Sequence, residues 1–346
     1  MKNIVSLKSL IYKSYLSSAL VPVFAIEAVL LVLYFGVTYF ISQKSQEILL
    51  DEARSALSEI AYREAGVIDM IFTEVSRDMA IMRQDHEMFF ASKECRLPNG
   101  EAEFARHQNG ALYKLKDNGG SSIYAPKHFE ATPSKMQKVK CSESIDPLMK
   151  SIVDTNPVIT QAYINTYDKL NRLYPFMSDA PSQYGSDLDA TTYNFYYLAD
   201  DRHNPSRKSV WTSAYLDPAG QGWMISHIVP IYSGDLLEGV SGLDVTIDSL
   251  IKNVLTLKIP WNGSAFLVDE EGTIIAMPKN IENLLSLKEL KEHTYTGSIQ
   301  TTIEKPKEFN LLKNSNGIKS FFENKTPIKT FSIKGANYIF SQESIP

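Results

Sequence analysis

The spacing of apolar positions changes twice along this chain, and each regime predicts a different kind of element. From Ala19 to Ile41 the sequence is apolar apart from one charge, Glu27. That length suffices to cross a hydrocarbon core of roughly 30 Å. A secretory leader has a shorter apolar core and a small-residue cleavage site, so an uncleaved anchor over 19–41 is expected. From Ser42 to Met88 there is no proline. Leu49, Ala53, Ala56, Ile60, Val67, Ile71, Val75, Met79 and Met82 recur there in steps of three, four and seven. Such steps predict one long amphipathic helix over 42–88. Its apolar face either pairs with a second copy as a dimer stalk or packs on its own domain.

Beyond 88 the pattern shortens to strand-like runs. Gly110–Leu115 and Ser121–Tyr124 flank Lys116-Asp117-Asn118-Gly119-Gly120, a hairpin turn composition. A helix is expected over 142–155, ending before Asn156-Pro157. Strands are expected over 158–166, 172–176, 210–216, 222–232 and 237–246, with a polar loop over 181–189 and a short helix over 247–256. A second unit begins near Pro260, with strands at Ser264–Val268 and Thr273–Met277 around a turn at Asp269–Gly272. A helix over 280–293 and a strand over 337–341 follow. The order describes an α+β protein with two antiparallel sheet units in tandem.

Composition narrows the functional classes. The 346 residues allow two ordinary domains, and 44% hydrophobic with 22% charged residues describes an ordered chain. Net charge is −5, with Lys and Arg scattered rather than striped, which speaks against a nucleic-acid partner. Lys2, Lys8 and Lys13 precede the apolar segment without an acid, whereas Glu47, Asp51 and Glu52 follow it. This bias puts residues 1–18 in the cytoplasm and 42–346 outside. Glu27 is either a helix–helix contact or a tolerated carboxylate. Cys95 and Cys141 both lie beyond the span, and the sequence leaves open whether they pair. His86, His107, His128, His203, His227 and His293 are dispersed, with none at metal-ligand spacing. No nucleophile elbow, His-Glu-x-x-His helix or phosphate loop occurs. No catalytic residue, metal or cofactor is expected.

The candidate chemistry lies between Asn194 and Asp244. Tyr196, Trp211, Tyr215, Asp217 and Asp244 fall within a run of aromatics and acids at the ends of apolar strands. Acids beside aromatic faces suit a cationic group. Trp211 stands four residues before Tyr215, which on one regular strand puts both on one face. Each residue has a plainer role too. Asp217 precedes Pro218 and can cap its turn. Asp244 can be buried against a backbone N–H, and the aromatics can be ordinary sheet packing.

In this order the segments resemble the double Cache sensor domain of bacterial transmembrane receptors, over about residues 42–346. The carriers are a long helix after one span, YLDPAGQGW at 215–223, GVSGLDV at 239–245 and GSAFLVDEEGTIIAMP at 263–278. The resemblance implies two tandem PAS-like modules, a membrane-distal one over 89–260 that binds ligand and a membrane-proximal one over 261–346. It implies a homodimer through the stalk helix, in a bacterial inner (cell) membrane, with 42–346 periplasmic or extracellular. Such receptors signal to a cytoplasmic kinase, cyclase or chemotaxis module. The family continues into a last strand, a second membrane helix and an output domain, so the proximal module is expected to be incomplete here.

In amino-acid-binding members a Tyr-x-Asp pair and a later strand Asp hold the ligand ammonium. Tyr215, Asp217 and Asp244 match them. An upstream Arg-x-Trp pair clamps the ligand carboxylate, and its positions here are Asn194 and Tyr196; Arg202 and Arg207 are near but out of register. A bidentate Arg is the main reason for preferring a carboxylate. The resemblance therefore implies a small cationic ligand, an amine or amino acid, with the ammonium half of the site kept and Trp211 as an aromatic wall. A structural or adhesive ectodomain, or a periplasmic hydrolase, are the competing classes.

Overall fold

The computed structural model describes residues 6–92, 95–98, 100–255, 257–287, 294–306, 309–314 and 316–345. By contact the chain divides into two units, Met1–Ile60 and Ala61–Pro346. The first is helical: α1 (Leu7–Tyr15), a π-helical turn (Leu16–Leu20) and the beginning of α2 (Val21–Ser92). Ile26, Leu30, Val32 and Phe35 are all exposed on it. This helix is long and apolar enough to cross a membrane.

In the second unit α2 turns one face inward. Val75, Met79, Met82, His86 and Phe90 are buried at steps of three and four, whereas Val67 remains exposed. The unit continues with β1 (Phe104–Arg106), β2 (Leu112–Lys114), β3 (Ser122–Ala125), α3 (Pro133–Cys141), α4 (Asp146–Thr155), β4 (Ile159–Thr166) and β5 (Asn171–Tyr174). Then come α5 (Ala180–Tyr184), α6 (Asn194–Tyr197), β6 (Val210–Trp211), β7 (Tyr215–Leu216), β8 (Trp223–Ser233), β9 (Leu236–Thr246) and α7 (Ile247–Leu255). The strands form one antiparallel sheet in the order β1-β2-β3-β5-β4-β9-β8-β6, with β7 also on β8.

The expected hairpin around Asp117–Gly120 is β2–β3, pairing Tyr113 with Tyr124. The helix expected from 142 begins with a 3-10 turn, Ser142–Ile145, before α4. The loop expected over 181–189 includes α5. Arg172 on β5 is fully buried, and its guanidinium donates to Asp146 (2.9 Å), Ser121 (2.6 Å), Ser142 (3.1 Å) and the Val139 carbonyl (2.9 Å). All its partners are acceptors, which is what makes a buried cation tolerable. Cys95 and Cys141 form a disulfide that links the stretch after α2 to the end of α3.

The rest of the unit contains β10 (Leu267–Val268), β11 (Ile274–Ala276), α8 (Lys279–Leu285), α9 (Leu311–Asn314), α10 (Asn316–Glu323), β12 (Ile328–Ile333) and β13 (Ala336–Ser341). Among the described residues these strands make two separate hairpins, β10–β11 and β12–β13. A register irregularity at Leu267/Val268 shortens the first. The helix expected over 280–293 is α8; residues 288–293, His293 among them, lie outside the described residues. Ile274, Met277, Leu311, Ile318, Phe321 and Phe340 form a core of their own, while Ile275, Ala276 and Ile299 pack into the larger one.

The central strands carry different loads on their two faces. Register places Gln161 opposite Asp244, Tyr163 opposite Gly242 and Ser226 opposite Asp244. Directly opposed residues share a face, so Gln161, Tyr163, Ser226 and Asp244 all point one way. Ser241 and His227 point the other way. Ser241 meets His86 of α2 there, hydroxyl to Nδ1 at 2.6 Å.

Candidate functional site

A small cleft lies on the face of the sheet that turns away from α2. Tyr215, Asp217 and Asp244 all line it, so the three residues that matched an ammonium site share one cavity. Asp244 Oδ1 accepts from the Ser226 hydroxyl (2.5 Å) and from the Tyr215 phenol (3.4 Å), and the two hydroxyls lie 2.7 Å apart. Asp217 sits at the end of β7, in the turn to β8. Its two oxygens accept the backbone N–H groups of Ala219 (2.9 Å) and Gln221 (3.1 Å). The turn depends on Gly220 and Gly222, both at positive φ. Asp217 therefore caps its turn and lines the cavity at the same time.

The acids are held in an environment that disfavours their charge. Burial pushes Asp217 up to about 6, against the pull of its two backbone N–H partners. Burial, then the charge of Asp217, pushes Asp244 well above the usual carboxylate range. Burial likewise keeps Tyr163, Tyr184 and Tyr215 neutral, as phenols that donate and accept. Among the residues lining the cavity there is no Lys, Arg or His. The arrangement suits a cation: its ionisable carboxyl groups are acids, and its other polar side chains are neutral phenols and amides.

Several lining residues were not among those expected. Phe195, Tyr163 and Tyr184 supply aromatic walls, and Gln161, Asn165 and Asn171 supply amides. Phe195 stacks on Tyr193 (centroids 4.8 Å) and leans on Tyr215 (5.2 Å). Tyr163 lies across the sheet only because residue 242 is glycine: a Cβ there would stand 2.1 Å from the ring. The sequence did carry a sign of β4's role. Gln161, Tyr163 and Asn165 alternate with Ala162 and Ile164 in a buried strand, and polar groups at alternate core positions need a purpose.

Two expected residues do not line the cavity, and both displacements have a local cause. Trp211 pairs with His227 but Tyr215 pairs with Met224, so one extra residue intervenes between β6 and β7. Thr212 accounts for the irregularity. Its N–H donates to the Ser226 carbonyl and its hydroxyl accepts the Ser226 N–H, both at 2.9 Å. A one-residue bulge reverses the facing of everything before it. Trp211 accordingly stacks on His227 (4.6 Å, 9°) and meets Phe72 of α2 (4.9 Å). Tyr196 sits on α6, a helical turn, where successive side chains point about 100° apart. Its neighbour Phe195 reaches the cavity; Tyr196 is buried elsewhere, its phenol pushed up by burial and by Asp200 and Asp201. Asn194 likewise lies outside the lining, its Nδ2 donating to Ser213 O at 3.4 Å. Arg207 stacks on Tyr232 instead (3.9 Å).

A segment from the C-terminal part of the unit backs the site. The Tyr295 hydroxyl accepts the Gly222 N–H (3.0 Å) and donates to the Asp217 carbonyl (2.7 Å). Leu216 N–H donates to Ile303 O (3.0 Å), and the Tyr193 hydroxyl to Ile299 O (2.7 Å). The backbone of the 216–222 turn is thus tied to residues 295–303.

No family model matches the chain. Among curated proteins it is 28% identical over 152 residues to the methyl-accepting chemotaxis protein McpC of Bacillus subtilis, covering 44% of this chain and 21% of that protein. It is 29% identical over 138 residues to McpA of Pseudomonas putida, covering 37% and 20%. The matched part is thus about a fifth of the length of these relatives. Among solved structures it is similar to the ligand-binding domain of the Pseudomonas fluorescens chemoreceptor CtaA in complex with L-isoleucine. There the TM-score is 0.49 at 14% identity, over 85% of this chain and 87% of that one. The ligand-binding domain of the Pseudomonas aeruginosa amino acid chemoreceptor PctC, in complex with GABA, gives 0.46 at 14% identity, over 83% and 91%. In sequence, over two fifths of its length, this α+β chain is similar to a methyl-accepting chemotaxis protein.

Proposed function

We propose that the chain is the membrane-anchored, extracytoplasmic sensing region of a chemotaxis-type receptor, built as a double Cache domain. Its cavity takes the ammonium group of a small amine. The observation that carries this reading is the convergence of Tyr215, Asp217 and Asp244 on one buried cleft with no basic residue in its lining. Two carboxylates whose protonation is favoured by burial are stabilised as anions by an incoming cation, which binds as they release protons. The exposed apolar helix before Ile60 serves as the anchor, with the charge bias setting its direction.

The hydrolase reading is disfavoured by one geometric fact. Ser226 is held by Asp244 and Tyr215, but the imidazole of His227 faces the opposite side of the sheet, against Trp211. Among the described residues the Ser226 hydroxyl is bonded to the Asp244 carboxyl and the Tyr215 phenol, with no imidazole beside it to complete a nucleophile–histidine pair. For signalling, ligand in the cleft biases the turn 217–222 and, through Tyr295 and Ile303, the C-terminal part of the unit. This is a population shift between two packings rather than a push.

Thermal unfolding of the full chain in detergent micelles, against small amines and amino acids, tests the reading. An amine at a hundred times its dissociation constant stabilises by about 2.7 kcal/mol. A full shift retained by Asp244→Ala excludes this cavity as the site.

A further inference from the structure

We propose that the ligand of this cavity is two-ended: a primary amine carrying a second hydrogen-bond-donating nitrogen, held by the Asn171 carbonyl at the end of the cleft away from the acids. This rests on the amine reading above and deepens it. The face of β4 that lines the cleft runs from Gln161, opposite Asp244, through Tyr163, to Asn165, opposite Asn171. Four residues of strand place the two ends about 13 Å apart along the backbone. The cleft therefore has two polar ends joined by an aromatic floor, since Tyr163 lies over Gly242 between them.

At the first end the acceptors are Asp217, Asp244 and Gln161, whose Oε1 is buried without a hydrogen-bond partner. A primary ammonium has three N–H groups to offer, which matches three acceptors. At the second end Asn171 donates its Nδ2–H to Asn165 Oδ1 at 2.8 Å. That bond orients the amide and leaves Asn171 Oδ1 buried without a partner. Gln161 is 4% and Asn171 7% exposed, so neither oxygen is relieved by bulk solvent. Buried acceptors are rarely left unpaired, and two in one cleft point to N–H donors on whatever fills it. A carboxylate at the Asn171 end would meet an acceptor oxygen and no basic side chain. A bare methyl would leave that oxygen unpaired. The tyrosine floor suits the methylene chain that joins the two nitrogens.

Calorimetry on the full chain in detergent micelles, with three probes of similar length, tests this. Butylamine ends in a methyl, putrescine in a second ammonium and γ-aminobutyrate in a carboxylate. Putrescine is expected to bind roughly ten-fold or more tighter than butylamine, the worth of a hydrogen bond to a charged group. γ-Aminobutyrate is expected to bind no tighter than butylamine. Asn171→Leu brings the putrescine-to-butylamine ratio close to one, whereas Trp211→Phe, outside the cleft, leaves it unchanged. Should Asn171→Leu fail to fold, Asn171→Asp carries the test, because an acidic acceptor there raises the ratio. Equal binding of putrescine and butylamine overturns the proposal. So does tighter binding of γ-aminobutyrate, or a ratio that survives Asn171→Leu. If butylamine binds and Asp244→Asn abolishes it while the ratio stays at one, only the two-ended ligand falls. If no amine binds, the amine reading falls with it.

Discussion

The central sheet treats the ionisable groups on its two faces in opposite ways. On the face against α2 the buried cation Arg172 is paired with Asp146, and the histidines are bases that burial pushes down, His86 to about 3 and His227 to about 4. Both are neutral at physiological pH, so that face is closed: rings stack, and Val75, Met79 and Met82 fill the space. On the cleft face the buried groups are acids pushed up, Asp217 to about 6 and Asp244 well above its usual range. Near neutral pH Asp217 is charged with no cation beside it. One face has solved its electrostatics with its own residues, while the other needs something from outside. A buried ionisable group becomes a site when its uncompensated form is the charged one.

If that contrast holds, damage to the two faces separates stability from binding. The largest effect is expected from the disulfide beside α2. Cys95 and Cys141 are 46 residues apart, and opening a loop of that size costs roughly 4 kcal/mol of stability. Unfolding with and without reductant measures it, and amine affinity should be unaffected in the fraction still folded. Next comes Met82→Ala, which leaves a cavity under α2 and costs about 3 kcal/mol. A matching loss of ligand affinity would show that the faces are not independent.

Asp244→Asn should act in reverse. Removing an uncompensated buried acid raises ligand-free stability at pH 7 by on the order of 1–3 kcal/mol, while amine binding disappears. The pH dependence sharpens this. Asp217 holds its proton longer in the folded state, about 6 against 3.8, so its contribution to stability falls as pH rises from about 4 through 6. His86 holds its proton less well when folded, about 3 against 6.5, so its contribution rises over that window. Asp244→Asn lifts an acid's falling contribution, and the variant should gain stability with pH more steeply than the parent. A variant less stable than the parent at pH 7 would contradict the contrast. The smallest effect belongs to Trp211→Phe, which trims the α2 face and should change amine affinity by under about 0.5 kcal/mol.

Much of this contrast was legible in the sequence, and the failures have physical causes. The long strands 158–166, 222–232 and 237–246 were readable because buried β residues and turn glycines punctuate them. The meeting of Tyr215, Asp217 and Asp244 in one cleft was readable because they stand at the ends of such runs. Trp211 was misplaced because the bulge at Thr212 depends on a side chain bonding Ser226 across the sheet, which spacing cannot reveal. Tyr196 was misplaced because four residues of helix, α6, are too few to show a period. The amide end escaped notice because Gln161, Asn165 and Asn171 meet the acids only through strand pairing distant in sequence.

Proton linkage reports whether the two buried acids, Asp217 and Asp244, receive a cation. Calorimetric titration of the full chain with an amine near pH 6, in two buffers of different ionisation enthalpy, counts the protons exchanged. If the ammonium pairs with Asp217 and Asp244, binding releases protons, tightens as pH rises through about 6, and is abolished in Asp244→Asn. Amine binding without proton release, or binding that persists in Asp244→Asn, would contradict it.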